Sequence, residues 1–206
     1  FYTEKAYPVN NVKKCELVDF GSKKGIKIYR EFLGSTIEQT ILLSDSVPRI
    51  DFKTNVDWQQ EHLMLKVKFP VDVFADKATF DIQFGNIERS TTTNTTWEFA
   101  QFEESMHKWV DLSDNSFGLS ILNDCKYGYE VNEQRMIITL LKAPMNPDPQ
   151  SDRGDHYFTY SLYPHAGGWK DAETLVRGLE FNNPMLPVEL SDEAKGTDSG
   201  SFISVD

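Results

Sequence analysis

The chain has 206 residues, 39% hydrophobic and 26% charged, enough apolar material for one sizeable folded domain. Its 21 basic and 32 acidic residues give a formal net charge of -11, a surface that repels phosphate backbones and anionic lipid and so argues against nucleic acid or a membrane as partner. Neither a long apolar run nor the basic and apolar regions of a signal peptide are found, and Cys15 and Cys125 have no metal or redox spacing, so two reduced thiols in the cytoplasm are expected.

Side chains alternate between the two faces of a strand, and period-two patterning recurs along the chain. Residues 1–11 read as a linker from an upstream domain. GIKIYREFLG (25–34) and STIEQTILL (35–43) carry the β-branched and aromatic residues of strands. In RIDFKTNVDW (49–58), Ile50, Phe52, Val56 and Trp58 share one face, with Asp51, Lys53, Asn55 and Asp57 on the other. HLMLKVKF (62–69) repeats the pattern after a short QQE connection, which predicts an antiparallel pair with the preceding strand. ATFDIQFG (78–85), the apolar run ending at residue 123, MIITLLK (136–142) and HYFTYSLYPH (156–165) bring the count to at least eight strands.

Helical periodicity is confined to residues 171–180, with Asp171 as N-cap, Ala172, Leu175, Val176 and Leu179 on one stripe and Pro184 as the stop. Long polar loops are expected around 90–99 and 143–156. Residues 12–189 thus form the domain, and 190–206 a loop followed by the start of another strand, SFISVD, that implies further chain. Many strands and one short helix predict an all-β fold, a large antiparallel β-sandwich.

No constellation announces chemistry. His62, His107, His156 and His165 lack metal-site spacing, and His156 and His165, nine apart on one strand, should face opposite ways. With 32 carboxylates, neighbours such as Asp152 with Asp155 or Glu103 with Glu104 are unavoidable and read as solvated surface. There is no GxSxG elbow and no glycine-rich phosphate loop. Arg153-Gly154-Asp155 spells an integrin-binding tripeptide, which turn chemistry explains adequately. Four tryptophans and eight tyrosines would serve a sugar-stacking platform, although most such rings in a sandwich are core.

The stretch ILNDCKYGYE (121–130) is the best candidate site, because it clusters donors and acceptors at a strand end. Asn123, Asp124, Lys126 and Tyr127 suit a polyhydroxylated ligand. Alternatively, Asn123 and Asp124 cap a turn in which Gly128 has positive φ and the tyrosines cover the sandwich edge. Spacing alone favours the turn.

Four blocks in order, PRIDFKTNVDWQQEHLMLKVKFPVDV, FGNIERSTTTNTTWEFAQFEESMHKWVDLSD, FGLSILNDCKYGYEV and DRGDHYFTYSLYPH, resemble the C-terminal β-domain of family 38 α-mannosidases over roughly residues 12–187. The resemblance implies a supersandwich of the galactose mutarotase-like kind. It also implies retaining hydrolysis of α-mannosidic bonds by a parent enzyme whose zinc ligands and aspartate nucleophile lie in an upstream catalytic domain. This chain would carry no catalytic residue, metal or cofactor of its own and would be inactive alone. Its partners would be that upstream domain and, through the parent's active site, an α-mannoside or mannose oligosaccharide. In this family the loop matching 123–127 looks toward the cleft, which makes Asn123, Asp124, Lys126 and Tyr127 substrate-side contacts. Arg89, Trp97, Glu103, His107, Trp109, Asp111, Asp152 and His156 also fall in the matching blocks, with His107 and His156 expected in structural roles. The competing readings are an autonomous carbohydrate-binding module and an adhesive domain working through residues 153–155.

Overall fold

The computed structural model describes residues 5–132 and 134–186. The strands run β1 (Val12–Asp19), β2 (Lys23–Phe32), β3 (Ser35–Ser44), β4 (Ile50–Trp58), β5 (Leu65–Pro70), β6 (Lys77–Ile82) and β7 (Gly85–Ser90). After the short helix α1 (Thr96–Ala100) come β8 (Glu104–Ser105), β9 (Trp109–Ser113), β10 (Phe117–Asn123), β11 (Gly128–Asn132), β12 (Arg135–Leu141) and β13 (Gly154–Ala166), and then helix α2 (Thr174–Asn182). The expected loop and strand start at 190–206 lie outside the described residues.

These strands form two antiparallel sheets, one of nine strands in the order β1-β2-β3-β4-β13-β10-β9-β6-β7 and one of four in the order β5-β12-β11-β8. The large antiparallel sandwich read from the patterning is therefore the observed architecture. Its core lies between the sheets: Val56, Trp58, Val110, Leu112, Ile121, Phe158 and Tyr160 of the large sheet pack with Tyr129, Met136, Ile138 and Leu140 of the small one. Tyr160 links the layers, stacking on Phe52 at 4.9 Å and 10° and meeting Phe69 of β5 at 6.3 Å.

Strands 50–58 and 62–69 do not pair with each other. β4 lies between β3 and β13, whereas β5 pairs with β12 in the other sheet. The connection is a crossing from sheet to sheet, held by Gln59 N donating to Ser35 Oγ and by Gln60 Nε2 donating to the Leu33 carbonyl. His62 turns the chain there with φ 56°. Spacing fixed the face of each strand, but the partner is set by the sheet in which each face finds cover.

The middle strands of the large sheet are buried on both faces. Behind the main core, Trp109, Leu122 and Tyr163 are covered by Val47, Trp169, Ala172 and Phe181. Helix α2 lies close against the sheet at Gly178, where a Cβ would stand 2.9 Å from Trp109 Cδ1. The helix starts at Thr174 rather than at 171, because the preceding backbone closes turns of its own: Ala172 N bonds Gly168 O, Glu173 N bonds Lys170 O and Thr174 N bonds Trp169 O. Glu173, not Asp171, is the N-cap, with φ 54° and no side-chain cap.

A second helix, α1, interrupts the expected 90–99 loop. Thr95 Oγ1 accepts from Glu98 N at 3.1 Å and Glu98 Oε2 accepts from Thr95 N at 2.9 Å, a complete capping box. Among the described residues there are thus two short helices where one was expected. No helix among them is long and apolar enough to cross a membrane.

Candidate functional site

β10 runs between β9 and β13 and ends at Asn123, where the chain leaves the large sheet for β11 of the small one. Asn123 is fully buried. Its Nδ2 donates to the His107 carbonyl at 2.6 Å, and its Oδ1 accepts from Lys126 N at 2.5 Å, which closes the turn. The backbone on either side is tied as well: Asn123 N bonds Lys108 O, Asp124 N bonds Thr159 O, and Met106 N bonds Tyr127 O. Asp124 Oδ2 accepts from Thr159 N at 2.8 Å. Asn123 is thereby the turn's internal brace, as the capping alternative requires.

The other three predicted residues lie toward solvent. Asp124 is exposed, Lys126 half-buried and the Tyr127 ring 54% exposed. The Lys126 ammonium stands 4.7 Å from the centre of the Phe158 ring, and Tyr127 meets His107 edge-on at 6.0 Å. Gly128 does not supply a positive φ: it is the first residue of β11 and pairs with Thr139 and Ser105. The side-chain amide of Asn123 does the turning that glycine was expected to do, so Gly128 is free to enter the sheet.

His156 and Asp152 flank the same end of β13. His156 Nε2 bonds the Asp152 carbonyl at 2.9 Å, while Asp152 Oδ2 accepts from the backbone N–H groups of Lys142 at 3.0 Å and Ala143 at 2.9 Å. Burial pushes the Asp152 pKa up, but those two N–H groups and the charges of His156 and Lys126 outweigh it and hold the carboxyl below its usual range. The 153–155 tripeptide is not a free loop: Arg153 is paired with Glu61 at 2.9 Å, and Gly154 and Asp155 open β13 opposite Trp58 and Asp57.

His165 lies on the opposite face of β13, in a buried polar cluster that sequence reading did not assemble. Its Nε2 stands 2.7 Å from Asp111 Oδ2, and its Nδ1 is 3.2 Å from the Gly167 carbonyl. Ser120 Oγ donates to the same Asp111 oxygen at 2.6 Å and lies 3.0 Å from Thr174 Oγ1 of α2. Gly118 leaves room for the ring, since a Cβ there would stand 2.3 Å from His165 Cε1. Both ring nitrogens face acceptors, which suits an imidazolium. Burial lowers its pKa, but the hydrogen bond and charge of Asp111, with the Ala166 and Gly167 backbone, prevail and raise it above 6.5. Although Ser, His and Asp meet here, serine and carboxylate crowd one ring nitrogen, and Ser120 is fully buried. The cluster braces the sheet and α2 and offers no nucleophile to a substrate.

Other carboxylates are likewise committed. Glu103 pairs with Lys66 at 2.6 Å, Glu104 with Arg89 at 3.2 Å, and Glu130 with Arg135 at 2.6 Å. Asp51, buried on the outer face of β4, takes Arg49 at 2.6 Å, Lys23 at 2.8 Å and Ser161 at 2.7 Å. Among the described residues no group of three or more His, Cys, Asp and Glu converges to hold a metal ion. A cavity of about 180 Å³ lined by Arg89, Glu104, Glu130 and Arg135 lies among these paired charges and excludes the 123–127 loop.

The family model for the glycosyl hydrolases family 38 C-terminal domain matches residues 1–150. The chain belongs to that family. It is 41% identical over 168 residues to human alpha-mannosidase 2C1, covering 82% of this chain and 16% of the relative. It is 46% identical over 148 residues to Dictyostelium discoideum alpha-mannosidase G, covering 72% of this chain and 14% of that protein. The chain therefore spans about one-sixth of the length of these curated relatives. An alpha-mannosidase structure from Enterococcus faecalis superposes with a TM-score of 0.74 at 17% identity, covering 84% of this chain and 24% of that one, so the two share the fold.

Proposed function

We propose that this family 38 C-terminal domain belongs to an α-mannosidase, in which it acts as a scaffold and lends the loop after β10 to the edge of the sugar site. The observation that carries this reading is the 41% identity to one-sixth of a named α-mannosidase. Hydrolysis of an α-mannosidic bond with retention needs two carboxyl groups facing one glycosidic oxygen and anomeric carbon. The carboxylates of this site are spent on backbone N–H groups and ion pairs, so the reacting acids, and the zinc expected in the parent enzyme, are assigned to the upstream catalytic domain.

This chain's own contribution is recognition. The Lys126 ammonium and the Tyr127 phenol can donate to hydroxyls of a mannoside, and the second oxygen of Asp124 can accept from one, while Asn123 holds the three in register from beneath. Cys15 and Cys125 are free and exposed, which fits the proposed cytoplasmic setting.

A carbohydrate-binding module that works without its enzyme is the second reading, favoured by the exposed aromatic rings of Trp97, Phe99 and Phe102 around α1, at 83%, 65% and 54%. One preparation separates the two readings. The purified chain is expected to show neither turnover of an aryl α-mannoside nor calorimetric heat with mannose oligosaccharides. Turnover would overturn the scaffold assignment, and binding would favour the module.

A further inference from the structure

Helix α2 ends directly behind the 123–127 loop. Asn182, its last residue, donates from Nδ2 to the Asn123 carbonyl at 3.0 Å and to the Gly178 carbonyl of its own helix at 2.9 Å. The far end of the same helix is fixed to the sheet, because Thr174 Oγ1 joins the Ser120 hydroxyl at 3.0 Å and the Ala172 carbonyl just before it accepts from Tyr163 Oη at 3.0 Å. Midway, Gly178 lets the backbone approach the Trp109 ring so closely that no side chain would fit. Trp109 pairs with Leu122, the residue before Asn123. The helix is thus held at three points, and Asn182 at its C-terminal end grips the residue on which the loop turns.

We infer that Asn182 is a positioning residue for the sugar-side loop, transmitting the fixed seat of α2 to Asp124, Lys126 and Tyr127 through the Asn123 carbonyl. It touches no substrate. Three of the four links Asn123 makes are to the backbone of residues 107, 108 and 126, all within the sheet ends and the turn itself, so Asn182 is the link that ties the turn to the second layer behind it. Losing it frees the β10 end to tilt, and a small tilt displaces side chains whose work depends on geometry. The inference rests on the reading that this loop faces the sugar.

The loop carries its own reporter. Cys125 sits at the surface between Asp124 and Lys126, and partial shielding of its thiol from water together with the neighbouring Asp124 carboxylate pushes that thiol up to about 11, which slows its alkylation while the loop holds this arrangement. The experiment uses the full-length parent enzyme with Asn182→Ala, Asn182→Asp and Asn183→Ala. Iodoacetamide labelling of Cys125 is followed by peptide mass spectrometry, alongside steady-state kinetics with an aryl α-mannoside. Among the described residues Asn183 bonds back to Leu179 O, from Nδ2 at 2.8 Å, and it serves as the neighbouring control.

Asn182→Ala is expected to speed Cys125 labelling roughly 10-fold as the thiol returns toward its ordinary range. It should also raise KM several-fold with kcat little changed, the mark of lost substrate placement. Asn182→Asp should be no better, since a carboxylate cannot donate to the Asn123 carbonyl, and Asn183→Ala should match the wild type. Unchanged labelling in Asn182→Ala would overturn the inference, as would faster labelling of every cysteine, which reports general loosening. Faster labelling at Cys125 alone with unchanged KM would instead overturn the placement of the loop at the sugar, and with it the role given to Asn182.

Discussion

Asp111→Asn is expected to lower the stability of the domain by about 3–5 kcal/mol, the cost of leaving one member of a buried ion pair without its partner. The Asp111 and His165 side chains are 1% and 3% exposed, so solvent cannot replace the lost bond. Asp111 also accepts from Ser113 Oγ at 2.6 Å through its other oxygen, and the amide would meet that hydroxyl and Ser120 with one oxygen instead of two. The loss should depend on pH with a definite sign. His165 is raised above 6.5 in the fold, so its contribution is complete below that value and fades as the pH climbs through the elevated one. In the variant burial acts without the carboxylate and depresses His165, so stability is lost as the pH falls. Urea denaturation at about pH 6 and about pH 9 should therefore show a wider gap between wild type and variant at the lower pH. A gap that does not move with pH would mean that His165 is neutral in the fold.

The second large effect is expected at Tyr160, which is 1% exposed and packed between Phe52 of one sheet and Phe69 of the other. Tyr160→Ala should cost about 3–5 kcal/mol, the usual range for truncating a fully buried ring to a methyl group. Tyr160→Phe separates packing from polarity. The hydroxyl accepts from Gln39 Nε2 at 2.9 Å, and that same nitrogen also reaches Thr54 Oγ1 at 3.1 Å, so the amide keeps a partner when the hydroxyl goes. A loss of about 1 kcal/mol is expected there. Equal losses for the two variants, measured by the same denaturation, would show that the ring stack does not join the sheets.

The fold was legible where alternation was strict and a run had only one apolar face. Strands such as β2, β3 and β12 could be read from their β-branched residues alone. Pairing was not legible: the 59–64 connection is short enough for a hairpin, yet it crosses between sheets, a choice made by tertiary packing rather than by its own residues. Helix α1 was missed although its Thr95-x-x-Glu98 signature stands in the sequence, because a threonine-rich run reads first as loop.

In the 123–127 loop the polar residue types were legible from the sequence, but the division of labour among them was not. Nothing local shows that Asn123 points inward while Lys126 points out, since that depends on the His107 carbonyl 16 positions away in the chain. The Asp111, Ser120, His165 and Thr174 cluster was invisible for the same reason, its hydrogen-bonded pairs being 9 to 54 positions apart.

Whether this domain shapes one wall of a mannoside pocket whose reacting groups lie elsewhere is decided by the kinetics of the full-length enzyme. Lys126→Ala removes an ammonium from the loop without disturbing the Asn123 brace, in which Lys126 takes part through its backbone N–H and not its side chain. Losing a charge-assisted hydrogen bond to a sugar hydroxyl should reduce kcat/KM roughly 10- to 100-fold. Tyr127→Phe should reduce it less, and the Tm of both variants should stay within about 2 °C of wild type. Unaltered kcat/KM in both variants, or a loss matched by a fall in Tm, would contradict the account and leave the loop as a structural turn.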